Sequence, residues 1–381
     1  MTPSVAPIKD FAIGIYDGPH ATPKPSDDGP IFLGIKNVTE EGRLDFSEVR
    51  HVSEAEFPKW TRRSKPQKDD IVFSYEATLH RYARIPDGFE GCLGRRMALI
   101  RPDVRKVDPR FLHYYFLSPV WRAKMDAITI NGATVNRIPL TNLPDTEVSF
   151  PSLNEQAAIA EVLSAYDDLV ENNRRRIALL EEAGRMLYRE WFVHLRFPGH
   201  EHVKVSDGLP EGWERRTMGD ILTLKRGYDL PQTQRIEGKI PVVSSSGITG
   251  YHNQKKVDGP GLVTGRYGTI GAVYLVEEDF WPLNTALYVV DMKGNSPTFL
   301  LYVLRQALGA IQSEKAAVPG LNRNILHTIP VIVPPLRLRA HFDEVARVNY
   351  QQIRVIKQMS RFLAEARDLL LPRLMNGEIA V

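Results

Sequence analysis

The stretch "PSLNEQAAIAEVLSAYDDLVENNRRRIALLEEAGRMLYREWF", residues 151–192, sets the architecture of this 381-residue chain. Ser152 and Glu155 follow Pro151 in an S-x-x-E arrangement. In that arrangement a hydroxyl and a carboxylate each satisfy a backbone N–H left open by a helix's first turn. Ile159, Leu163, Tyr166, Val170, Asn173, Ile177, Leu180, Gly184, Leu187 and Trp191 then recur at alternating spacings of four and three. The pattern is a heptad seam. It predicts a single helix over about 152–192, roughly 60 Å long at a rise of 1.5 Å per residue. A helix of that length is no ordinary core helix and needs an apolar partner along its side.

The partner is written near the other end of the chain. "IVPPLRLRAHFDEVA" (332–346) is a worn copy of "SFPSLNEQAAIAEVL" (149–163). Phe342, Ile353, Ile356, Leu363 and Leu370 occupy the matching seam, Asn349, Ser360 and Arg367 interrupt it, and Pro372 is expected to end or kink the helix. Upstream, "NRIPLTNLP" (136–144) aligns with "NRNILHTIP" (322–330), which puts Asn136–Arg137 on Asn322–Arg323 and Pro144 on Pro330, at an offset of 186. From Pro151 onward the offset is 183. "DPRFLHYY" (108–115) matches "SPTFLLYV" (296–303), and "IKDFAIGIYDGPH" (8–20) resembles "MGDILTLKRGYDLP" (218–231). Four matches in one order indicate a duplicated unit of globular domain, short strand and long helix. The two helices are expected to pair as an antiparallel coiled coil. The alternative is two separate amphipathic helices, each packed on its own domain. Pairing is favoured because neither helix has another surface long enough.

The expected fold class is therefore α+β, with two mixed α/β domains joined by two long helices. The boundaries read as 1–150 for the first domain, 151–195 for the central helix, 196–215 for a Pro/Gly/His-rich linker, 216–333 for the second domain and 334–381 for the C-terminal helix. "IFLGIKNV", "DIVFSYEA" and "RRMALIRP" are β-runs of the first domain; "KIPVVSSS", "GLVTGRYGTIGAVYLV" and "TALYVVDM" are their counterparts. Each domain adds one helix, near 109–126 and 297–313.

Composition narrows the function. The chain is 43% hydrophobic and 25% charged, which excludes collagen-like and disordered classes. No apolar run reaches the roughly 18 residues of a membrane span. "MTPSVAPIKDF" has no basic stretch followed by an apolar core, so no secretory signal is expected. Cys92 is the single cysteine, so neither an intrachain disulfide nor a cysteine zinc cluster can form, and a cytoplasmic location is expected. A net charge of +3 permits a nucleic-acid partner without demanding one. Phosphate-loop, H-E-x-x-H and amino-methyltransferase motifs do not occur. "GRYGTIG" (265–271) reads as a tight β-turn. The acid-x-Lys pairs Glu237–Lys239 and Asp291–Lys293 have no upstream Pro-Asp, and His20, His51, His80 and His113 show no ligand spacing. The chain is expected to hold no metal and no cofactor and to be non-catalytic.

Phosphates attract Lys and Arg, and base edges are read by Arg, Asn, Gln, Ser or Thr. The first domain offers Lys36, Asn37, Arg62, Arg63, Lys65, Tyr75, His80, Arg81, Arg84, Arg95 and Arg96. The second offers Lys225, Arg226, Ser244, Ser245, Ser246, Lys255 with Lys256, Arg266, Tyr267, Asn322 and Arg323. Taken singly, each is more often a solvated loop charge. Taken as one set per domain, they are candidate DNA contacts. "RRR" (174–176) reads as a solvated flank of the seam, or as a face for a partner subunit.

At these residues the chain resembles the specificity subunit of type I restriction-modification enzymes. The resemblance rests on 151–192, on "LPEGWERRTMGDI", on "DGPHATPKPSDDGPIFLGIKNV" and on the terminal "RLMNGEIAV", and it covers nearly the whole length. It implies two target-recognition domains, each reading one half of a split, asymmetric site on double-stranded DNA, with the helices setting the spacing. It also implies a scaffold for two modification subunits, which carry S-adenosylmethionine and methylate adenine, with room for two restriction subunits. The second helix opens "RLRAH" where the family often has Glu-Gln, and the N-terminus lacks the Pro-Glu-Gly-Trp found at 210–213. A rod of roughly 60 Å matches at most about 17 base pairs. Two other readings compete: a self-sufficient nuclease or methyltransferase, and a purely structural coiled-coil protein.

Overall fold

A computed structural model describes residues 4–132, 134–266, 271–314 and 320–381, with the side chains of 312–314 outside the description. The chain forms two compact units, Met1–Asn173 with Gln358–Val381, and Arg174–Lys357.

In the first unit a four-stranded antiparallel sheet runs in the order Ala12–Asp17, Met97–Pro102, Ile71–Ser74, Tyr82–Arg84. Ile71–Ser74 is buried on both faces, so it reads as a continuous apolar run and not as an alternating strand. A three-stranded sheet holds Ser26–Leu33 between antiparallel Arg50–His51 and parallel Gly91–Leu93. Ser4–Pro7 pairs with Glu147–Phe150, the strand that precedes the central helix.

The second unit repeats this plan strand for strand. Its four-stranded sheet runs Thr223–Arg226, Ala286–Asp291, Gly261–Gly265, Val273–Val276. Ile240–Ser244 lies between antiparallel Gly247–His252 and parallel Trp281–Pro282, and Glu214–Thr217 pairs with Pro330–Val333. Strand order and direction agree in all three sheets, so the repeat seen in sequence is a duplicated fold.

The backbone corrects one alignment. Ile138 N–H donates to the Tyr75 carbonyl at 2.8 Å, and Leu321 N–H donates to the Arg266 carbonyl at 2.8 Å. Likewise Ile8 bonds to Thr146 at 2.9 Å and Met218 to Ile329 at 2.8 Å. These equivalences keep the offset of 183 that relates the helix starts, so Asn322 stands where Pro139 does. The shared Asn-Arg dipeptide is a coincidence. Hydrogen-bond closure fixes register, and two identical letters do not.

The single helix expected near 109–126 is two, Pro109–Leu117 and Pro119–Ile128. Pro119 has no N–H to continue the first helix, and Ser118 Oγ caps the second by accepting from Trp121 N–H at 3.3 Å. The second copy has no such proline and stays whole over Pro297–Glu314.

The central helix spans Leu153–Tyr188 and continues as a π turn over Arg189–Val193. Its start is the expected box. Ser152 N–H donates to the Glu155 carboxylate at 3.0 Å and Ser152 Oγ donates to it at 2.7 Å, which holds the carboxyl below its usual range. The C-terminal helix spans Leu336–Met375. Of the two outcomes expected at Pro372, an end is not seen: the helix runs on to Met375. Leu371 and Leu374, on either side, are buried in the core of the first unit and hold the last turn in place. Gly377, at φ +76°, then turns the chain.

The two helices pair antiparallel within each unit. In the first, Ile159 and Leu163 share a core with Leu371 and Leu374, and Arg367 is ion-paired to Asp167. In the second, Glu181 faces Lys357 at 3.9 Å while Tyr188 packs on Phe342 at 5.9 Å. Of the seam residues, Ile159, Leu163, Val170, Phe342, Ile353 and Ile356 are buried. Tyr166, Ile177, Leu180, Leu187, Leu363 and Leu370 are half-buried. At Gly184 a Cβ would fall on the Tyr302 hydroxyl, so the seam narrows there to admit a ring.

His113 lies against the first unit's end of this helix pair. Burial, and then the nearby Arg84, depress its imidazole to about 4, against the opposing pull of Asp167. The unfolded chain therefore binds a proton that the folded chain rejects. That contribution is whole above about pH 6.5 and is lost as pH falls toward 4. The urea midpoint of the first unit's transition should drop across that window, and His113→Leu should flatten the drop.

Candidate nucleic-acid interface

Because the two units share one frame, their side chains can be compared position by position. Asp17 pairs with Ala98 in the first unit, and Arg226 pairs with Leu287 in the second. The next residues, Gly18 and Gly227, donate to the Met97 and Ala286 carbonyls at 2.8 and 3.1 Å. Tyr75 N–H bonds to the Arg96 carbonyl at 3.2 Å, and Arg266 N–H bonds to the Thr285 carbonyl at 2.9 Å. Asp17 thus stands where Arg226 does, and Tyr75 where Arg266 does. All four lie at the same end of the four-stranded sheet, just beyond its paired strands.

The first unit fills that place with compensated charge. The Asp17 carboxylate is 2.5 Å from Arg63 and 3.1 Å from His20. Tyr75 is 4% exposed, its hydroxyl is buried without a protein partner, and burial pushes it up to about 12. The His20 ring meets the Tyr75 ring edge-on at 6.4 Å. Five more basic candidates are tied to carboxylates: Arg96 to Glu76 at 3.5 Å, Arg81 to Glu40 at 2.7 Å, Arg84 to Asp69 at 2.7 Å, Lys65 to Glu90 at 3.3 Å and His80 to Asp126 at 2.8 Å. Lys36, Arg62 and Arg95 are exposed. Asn37 is buried. Its amide accepts from Gly34 N–H at 3.0 Å and donates to the Asp45 and Glu48 carbonyls at 3.0 and 2.9 Å. It folds its own loop and has no group left for a base.

The second unit differs. A cavity of about 600 Å³ is lined by Arg226, Arg266, Leu287, Leu321, Asn322 and Arg323. Arg226 and Arg323 are exposed, and among the described residues neither has an ion-pair partner. Asn322 Oδ1 accepts from Asn324 N–H at 2.9 Å. Also in the second unit, Lys225 and Lys256 lie 5.7 and 5.6 Å from the Tyr228 ring, and Lys256 lies 4.8 Å from Trp281. The Tyr228 hydroxyl is hydrogen-bonded to that of Tyr288 at 3.1 Å, and this bond, with the two lysines, lowers its phenol. Lys255 and Ser244 turn out otherwise engaged. Lys255 is held by Asp258 and Asp279, both at 2.6 Å. Ser244 is buried, and its hydroxyl closes a hairpin with Ser246 and Gly247, leaving Ser245 half-buried and Ser246 exposed beside the turn. Tyr267, and with it the core of "GRYGTIG", lies outside the described residues. Sequence reasoning missed Asp17, His20, Tyr228 and Trp281. Only the Lys-Arg-Gly-Tyr run at 225–228 carried a signal, a ring three residues from a basic side chain.

Among the described residues no group of three or more His, Cys, Asp or Glu could hold a metal ion, and no helix is long and apolar enough to cross a membrane.

A sequence profile for the type I restriction modification DNA specificity domain matches residues 51–182 and 210–354, one stretch in each half of the duplication. The chain belongs to the type I restriction-modification specificity family. It is similar to the type I restriction enzyme MjaIX specificity subunit of Methanocaldococcus jannaschii, 25% identical over 92% of this chain and 83% of the relative. It is also similar to the EcoprrI specificity subunit of Escherichia coli, 28% identical over 62% of this chain and 60% of the relative. A crystal structure of a type I system S subunit from M. genitalium shares the fold over 98% of this chain and 99% of that one, at a TM-score of 0.55 and 19% identity.

Proposed function

We propose that this specificity-family chain is the DNA-reading subunit of a type I restriction-modification complex. Each unit reads one half of a bipartite, asymmetric site, and the helix pair sets the number of unread base pairs between the halves. Two methyltransferase subunits, which bring S-adenosylmethionine, dock on the chain, and two restriction subunits can join them. The chain performs no chemistry itself and works in the cytoplasm. One observation carries this reading: a single duplicated frame presents unlike side chains at equivalent positions, Asp17 and Tyr75 against Arg226 and Arg266. A frame copied to read the same thing twice would keep its contact residues. A frame whose copies diverge at one shared surface reads two sequences.

The test is to map methylated adenines in DNA of cells carrying the partner subunits, with and without this chain. Methylation at one split motif should appear only with the chain. A motif that is continuous, or one that is unchanged when the chain is removed, overturns the proposal. Complex formation on DNA should weaken linearly with log salt as released counterions are replaced.

A further inference from the structure

We infer that the cleft of the second unit selects a guanine, through Arg226 and Arg323, and that the first unit has no matching arginine at the equivalent positions. The inference rests on the proposed function and assigns a base to one of its two surfaces. Three observations lead to it.

The first is charge balance. In the first unit Asp17 takes Arg63 and His20, and Arg96 is bound to Glu76, while Arg95 stays exposed near Tyr75. In the second unit Arg226 occupies the place of Asp17, and Arg323 lines the same cleft with no carboxylate partner among the described residues. Unpaired guanidinium groups in a concave site attract anionic or acceptor-rich ligands.

The second is geometry. The cleft holds about 600 Å³ and is lined by Arg226, Arg266, Leu287, Leu321, Asn322 and Arg323. A guanidinium is planar and offers two parallel N–H donors. In the major groove guanine presents two adjacent acceptors, N7 and O6, which match that fork, whereas the other purine presents one acceptor beside one donor. Arginines gathered in one cleft thus fit guanine better than any other base edge.

The third is contrast. At the equivalent places the first unit carries Asp17, already bound to Arg63 and His20, and Tyr75, which has one buried hydroxyl; neither offers a two-pronged donor.

The test separates base reading from phosphate binding. Arg226→Lys and Arg323→Lys keep the charge but lose the fork; Arg226→Gln and Arg323→Gln lose both. All four are changes at exposed positions, and folding is checked by the unfolding midpoint of each. Each variant is expressed with its methyltransferase partners, methylated adenines are mapped, and binding to single-base variants of the motif is titrated. Both lysine variants should accept another base at one guanine of one half-site, with roughly tenfold to hundredfold loss of discrimination there, while the other half-site and the salt slope stay unchanged. If the lysine variants keep full guanine preference, and the glutamine variants weaken binding equally on all sequences, the arginines hold phosphate and the inference fails. It also fails if the wild-type motif has no fixed G·C pair in the half-site that the glutamine variants affect. A wild-type map without any split motif would instead defeat the proposed function itself.

Discussion

Asp167→Ala should lower the stability of the first unit by about 3 kcal/mol, read as a fall in the urea midpoint. Arg367 is 8% exposed in the middle of an apolar seam. Its guanidinium is ion-paired to Asp167 on the facing helix and to Asp368 at 2.7 Å, and Asp167 also accepts from the Tyr114 hydroxyl at 2.6 Å. Removing Asp167 leaves a buried cation with one exposed partner, since the Asp368 side chain is 62% exposed. The cost falls at the low end of the 3–5 kcal/mol range for breaking buried pairs because Asp167 is itself 31% exposed. Asp167→Leu combined with Arg367→Met should recover most of the loss, since two apolar side chains of similar size need no charge compensation. A single variant that melts with the wild type would show that the pair contributes nothing to stability. The pair has a second consequence. An apolar seam tolerates a slip of one heptad, but a buried ion pair is satisfied in one register only, so Arg367 fixes how the two helices are matched.

Phe342→Ala should cost the second unit about 3–5 kcal/mol. Phe342 is fully buried, with ring centroids 5.0 Å from Phe192, 5.5 Å from Tyr302, 5.9 Å from Tyr188 and 6.0 Å from Trp191. The position is equivalent to Ile159 of the first helix, where a branched aliphatic side chain suffices. The second unit fills the same place with five rings because its copy of the seam meets Gly184, and the missing side chain there leaves room for Tyr302. Truncation to alanine opens a cavity among rigid rings that cannot collapse into it. Phe342→Leu keeps most of the volume and should cost roughly 1–2 kcal/mol. Near-UV circular dichroism from the tyrosines and tryptophans should weaken in the alanine variant. A variant with wild-type stability and an unchanged near-UV spectrum would show that the ring cluster is not the anchor of this end of the helix.

The helices and the repeat were legible because their signals are periodic and local. Ser152 and Glu155 state a helix start within four residues, and ten seam positions state its length and its apolar face. Arg367 shows the limit of such reading. In a linear pattern a charged residue at a seam position counts as a defect, and only its contact with Asp167 on the other helix makes it a structural element. Pro372 is similar. Its local rule says stop, and the burial of Leu371 and Leu374 overrides it. Pro119 erred the other way: its rule held, and it was not applied.

The candidate interface was less legible. Asn37, Ser244 and Lys255 are residue types suited to bases and phosphates, yet each is used to close a loop. Which polar group stays free is settled by neighbours distant in sequence, such as Asp279 for Lys255 and Glu48 for Asn37. The match of 8–20 with 218–231 brings Asp17 within a residue of Arg226, but only backbone pairing makes them equivalent, because the two positions share no identity.

From its sequence alone, then, this protein determined that it is duplicated, that each copy ends in a long amphipathic helix, and that the two helices need each other. These are consequences of spacing along one chain. Tertiary structure alone decided the register of the helices, the exact partner of each charge and the place where the two copies diverge. Those depend on groups brought together from separate elements of the chain, and their energies come from burial and pairing that no local pattern encodes.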